Sequence, residues 1–112
     1  MRKFKVMIVY NTTFHIDSAV FEEGLVYLKK DYIPAAIAGG ILKQPRLRQV
    51  LHNLTDDDTG GSFAVQFHVK DMNVLNEWRT QVGEELQGAL IRRFGNQITG
   101  FTTLLEEIDW EK

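Results

Sequence analysis

Residues 62–69, SFAVQFHV, alternate without a break: Phe63, Val65, Phe67 and Val69 share one parity, and Ser62, Ala64, Gln66 and His68 the other. Successive side chains of a strand point to opposite faces, so this octamer is built to bury one face only. VMIVYNTTFHID, residues 6–17, repeats the pattern. Val6, Ile8, Tyr10, Thr12, Phe14 and Ile16 make one face. The other begins apolar with Met7 and Val9, then turns polar at Asn11, Thr13 and His15. Two such strands need a cover on one side of a sheet, and the segments between and after them can provide it.

Strand 1 is expected over 4–16, followed by Asp17 or Ser18 as the cap of a helix whose Phe21, Leu25, Leu28 and Tyr32 recur at helical spacing. Gly24 weakens that helix. Pro34 lacks an N–H and restricts Ile33, so the helix is expected to stop near 32, with PAAIA as a further short turn closed by Gly39-Gly40. PRLRQVLHNL, 45–54, reads as a second strand whose facing, His52 included, stays open. TDDDTGG, 55–61, is a turn. Asp71 can cap a long second helix with the stripe Leu75, Trp78, Val82, Leu86, Leu90 and Phe94. Arg92 and Arg93 suit the dipole of its last turn, Gly95 ends it, and Gly83 and Gly88 inside it predict a kink. QITGFTTLLEEI, 97–108, is the last strand.

The order βαββαβ predicts a ferredoxin-like α+β fold, a four-stranded antiparallel sheet with two helices on one face, as a single domain over 1–112. Tyr10, Phe14, Phe63 and Phe67 then lie beneath the helices. The opposite face carries Met7, Val9 and Ala64, with Val50, Phe101 or Leu105 as further apolar candidates. Such a face is too apolar to stand in water, which predicts a partner, most simply a second copy of the chain.

YNTTFHID, YIPAAIAGGIL, GGSFAVQFHV and RRFGNQITGFTTLLEEI, in this order and spacing over nearly the whole chain, resemble a small bacterial family known only as a domain of unknown function. The resemblance implies a dimeric α+β barrel, two ferredoxin-like subunits pressing their sheets together around a cavity. Members often have a histidine directly before the Ile-Pro pair, where this chain has Tyr32. The resemblance brings no activity with it.

Charge and composition narrow the function classes. A net charge of −2 and a pI near 5.9 disfavour nucleic acid, whose phosphates select basic faces. RNA-recognition modules share the βαββαβ order, but Ser62 and Ala64 stand where their stacking rings belong. The chain has no cysteine, which removes disulfides, thiolate catalysis and cysteine-held zinc. MRKFKVMIVYN lacks a leader's apolar core, and no run reaches the ~20 residues of a membrane span, so neither membrane nor export is expected and the cytoplasm is the expected location.

The candidate site is polar and mostly neutral. Asn11, Thr13 and Gln66 can orient a small polar ligand, or pair across a wet dimer interface. His15 and His68 share the open face and could move a proton, as general base of a cofactor-free enzyme with Asn11 or Gln66 polarising a carbonyl. A metal is not expected, because no third ligand falls at a suitable spacing. Arg46 and Arg48 share a parity and could clamp a carboxylate or phosphate, while Tyr32 and Tyr27 could border the same cavity. Asp56-Asp57-Asp58 lacks the alternating oxygens and distal glutamate of a calcium loop. Gly60-Gly61 lacks the GK[ST] of a phosphate loop, and Ser62 lacks the surroundings of a nucleophile elbow. The expected function is a homodimer binding a small molecule without a cofactor. A cofactor-free enzyme and a ligand-free dimerisation module are the alternatives.

Overall fold

The computed structural model describes residues 7–51 and 60–111. Strand β1 is Met7–Asp17. Asp17 caps the turn that follows it, its carboxylate accepting from the Ala19 N–H at 3.0 Å. The segments Phe21–Tyr27, Leu28–Tyr32 and Ile33–Ile37 then join end to end as one helix, α1. β2 is Lys43–Gln49 and β3 Gly60–Val69. Met72–Trp78, Arg79–Gly83 and Glu84–Phe94 form the second helix, α2. β4 is Ile98–Glu107.

The sheet order is β2-β3-β1-β4 with every pair antiparallel, the strand order of the ferredoxin-like plan. The core lies between this sheet and the two helices. From the strands it takes Tyr10, Phe14, Ile16, Phe63, Val65, Phe67 and Val69; from the helices Leu28, Ala36, Leu75, Trp78, Leu90 and Phe94. Phe63 is 5% exposed and Phe67 1%. The rings of β3 therefore lie beneath the helices, and burying each contributes about 1.5–3 kcal/mol.

The start and end of α2 follow the expectation. The Asp71 carboxylate accepts from Val74 N–H at 3.0 Å. Gly95 ends the helix at φ 59, a left-handed backbone that glycine adopts without strain. The first helix differs from the expectation, since Pro34 does not stop it. Leu28–Tyr32 is a π turn, with the Ile33 N–H reaching back five residues to the Leu28 carbonyl. This wider turn lets the chain continue through a residue that has no N–H of its own. α2 contains a second π turn at Arg79–Gly83, closed by Glu84 N–H to Arg79 O. The irregularity expected at Gly83 takes this form.

Two glycines in the helices are there for space. A Cβ at Gly24 would stand 2.8 Å from Ile16 Cγ2, so glycine lets α1 lie close on β1. A Cβ at Gly83 would stand 2.8 Å from the Trp78 ring. That ring packs edge-on against Tyr10 at 5.5 Å, and its Nε1–H donates to the Ala36 carbonyl at 2.9 Å, tying α2 to the end of α1. β2 begins two residues before the expected 45 and ends at Gln49, short of the expected 54, with a bulge between Lys43 and Arg46 where Gln44 takes φ 52. His52 and Asp56–Asp58 lie outside the described residues.

Candidate functional site

Register assigns the polar candidates of the strands to the uncovered face. Asn11 stands between Gln66 on β3 and Thr103 on β4, Thr13 between Ala64 and Phe101, and His15 between Ser62 and Thr99. Arg46 pairs with Gln66 and Arg48 with Ala64, which settles the facing of β2: both arginines are on this side. Arg48 Nη1 donates to Gln66 Oε1 at 2.7 Å, so the acceptor of that amide is already engaged. Arg46 turns back on its own chain, donating to the Pro45 carbonyl at 3.0 Å. Asn11 donates to Thr13 Oγ1 at 3.2 Å, while its Oδ1 is buried with no hydrogen-bond partner.

The two histidines do not form a pair. His15 Nδ1 lies 3.1 Å from Ser62 Oγ, and His68 stands opposite Val9, six residues farther along β3. At ~3.4 Å per residue that is about 20 Å, too far for one metal or one substrate group. Among the described residues no three His, Cys, Asp or Glu side chains gather where they could hold a metal ion. No described helix is long and apolar enough to cross a membrane.

Tyr32 is on the other side of the sheet. It borders a cleft of about 870 Å³ between the helix side of β1 and β4 and the inner face of α2. Tyr10, Thr12 and Phe14 of β1 form the floor, with Gly100 and Thr102 of β4. Arg79, Gly83, Glu84, Gln87, Leu90 and Ile91 of α2 form the wall. The Thr12 and Thr102 hydroxyls lie 3.3 Å apart across the β1–β4 ladder. Arg79 places its guanidinium 5.7 Å from the centre of the Tyr10 ring. Tyr32 packs edge-on against Phe14 at 5.3 Å. Burial holds its phenol pKa well above the ordinary value, and the neighbouring phenols of Tyr10 and Tyr27 push the same way. Tyr32 is thus a neutral hydroxyl donor at any physiological pH. Tyr27 packs instead against Phe94, 5.5 Å between ring centres, and is absent from the cleft lining.

Both π turns meet this cleft. The first ends on Tyr32; the second begins with Arg79 and ends with Gly83. A π turn adds a residue to a helix, rotates the side chains beyond it, and is found disproportionately at functional sites. Composition and strand parity could not find Arg79, Thr12 or Thr102. The π turn of α2 did leave a trace in the sequence, because Trp78, Val82, Leu86, Leu90 and Phe94 recur at four residues each time.

One family model, described as a domain of unknown function (DUF4286), matches residues 7–108. No curated protein matches the chain, and no solved structure does.

Proposed function

The chain belongs to the DUF4286 family, a domain of unknown function, and from its own geometry we propose that it binds a small, largely apolar molecule in the cleft between the sheet and α2. The observation that carries this reading is the cleft itself. It has the volume of a ligand site, and its lining mixes apolar side chains such as Phe14, Leu90 and Ile98 with hydroxyls, amides and the charges of Arg79 and Glu84. It is also the place where both helices depart from regular geometry. The proposed site lies on the covered face of the sheet, whereas most of the residues expected from the sequence lie on the open one. A histidine base is not part of it, since the described cleft lining contains no histidine.

The open face supports a second function, self-association. Phe101 is 64% exposed there and Leu105 46%. On the same face β2 offers Arg46 and Arg48, and the far edge offers Glu107, opposite Met7. A two-fold axis running along the strands sets β2 of one chain over β4 of the other, so the partner sheet covers Phe101 and Leu105.

The cleft is tested with a neutral apolar fluorophore, N-phenyl-1-naphthylamine. One probe per chain is expected to bind with enhanced emission, and Thr102→Trp, which fills the cleft from the edge strand, is expected to weaken it at least tenfold. Unchanged binding in that variant, or no binding to the native chain, overturns the reading.

A further inference from the structure

The polar groups of the cleft are unevenly matched. Arg79, Tyr32 and Tyr10 bring hydrogen-bond donors, and the Thr12–Thr102 pair can turn a hydroxyl outward. Glu84 is the one acceptor-only side chain among the described lining residues. Burial separates the two charges. Arg79 is half-buried against the Tyr10 ring, whereas Glu84 is exposed at the rim. Water screens an exposed charge far more than one packed against a ring, so the inner part of the cleft is governed by the cation. Phe14, Leu90 and Ile98 give the cleft its apolar surface, and Gln87, Asn96 and Thr99 add neutral polar groups.

Resting on the cleft as the binding site, we infer that its ligand is an aromatic or branched apolar carboxylate, its carboxylate anchored by the Arg79 guanidinium and its body against Tyr10, Phe14 and Leu90. The planar guanidinium matches a carboxylate with two parallel N–H donors. Tyr32 supplies a further donor that stays protonated. A neutral amide of the same shape forgoes the charge-assisted pair with the Arg79 guanidinium.

The probes are 3-phenylpropanoate and 3-phenylpropanamide, alike in body and different in charge, followed by amide chemical-shift titration of the full chain at neutral pH. The acid is expected to bind at least tenfold more tightly than the amide, with shifts at Thr12, Gly83 and Thr102. Arg79→Gln is expected to remove that preference by weakening the acid far more than the amide, and Arg79→Lys to restore part of it. Added salt is expected to narrow the gap between the two probes. Equal affinity for acid and amide, or a preference that survives Arg79→Gln, overturns the carboxylate assignment and leaves the cleft standing. Shifts confined to the open sheet face also overturn it. The neutral fluorophore decides separately whether the cleft binds apolar molecules at all.

Discussion

Tyr32 ties stability to alkaline pH. Its folded-state pKa lies above the ordinary 10.0, with burial as the main cause. Below about pH 10 the phenol is protonated in folded and unfolded chains alike, and its contribution is fully present. Above that, the unfolded chain releases the proton while the folded chain holds it, and stability falls as pH rises. Urea midpoints are therefore expected to decline from about pH 10 upward, and Tyr32→Phe, which keeps the ring against Phe14, is expected to flatten the decline. An equally steep decline in the variant would assign it to other groups. This residue also shows what a single chain of letters conveys. Its place in the apolar stripe of α1 made burial legible; its place in a cleft depended on β4 and α2, which meet it only in the folded chain. Asn11 is the converse case. Parity put it correctly on the uncovered face, but its buried, unpartnered Oδ1 follows from packing by neighbouring strands.

The helices show how spacing encodes geometry. A regular helix advances about 100° per residue, so a stripe that recurs every fourth residue drifts about 40° per step. The stripe from Trp78 to Phe94 takes four such steps, and a π turn absorbs part of the drift that a regular helix would accumulate. The succession of elements along the chain, the Asp71 cap and the Gly95 terminus were legible because each depends on neighbours in sequence. The π turns were legible only in part: the four-residue recurrence in α2 fits one of them, but a proline or a glycine at the right place is equally compatible with a helix end or a kink. Gly83→Ala separates these views. In an ordinary exposed helix the change stabilises by up to ~1 kcal/mol. Here the new Cβ meets the Trp78 ring at 2.8 Å, and a loss of about 1–3 kcal/mol is expected by urea denaturation. A stabilised variant would show that the indole has room to move.

The whole molecule offers two surfaces on opposite sides of one sheet. The histidines, amides and arginines foreseen from the sequence share one of them with Phe101 and Leu105; the cleft occupies the other. Ladder register divides them, and parity alone gives only half of that division, since it says which residues face together but not how far apart they stand. The self-association proposed for the open face is expected to fail in Phe101→Lys combined with Leu105→Lys. Both side chains are exposed, so folding is expected to persist by circular dichroism while sedimentation velocity shifts from dimer to monomer. A native chain that sediments as a monomer at micromolar concentration would end this reading without touching the cleft.

Strand β4 carries residues of both surfaces in turn. Gly100 and Thr102 look into the cleft, and Phe101, Thr103 and Leu105 look away from it. The strand sits at the sheet edge with a neighbour on one side only. A guest wedged against Thr102 and a companion subunit resting on Phe101 would therefore grip the same ten-residue ribbon from opposite sides. Whatever free energy the guest adds to or subtracts from subunit pairing, pairing must return in equal measure to the guest's affinity.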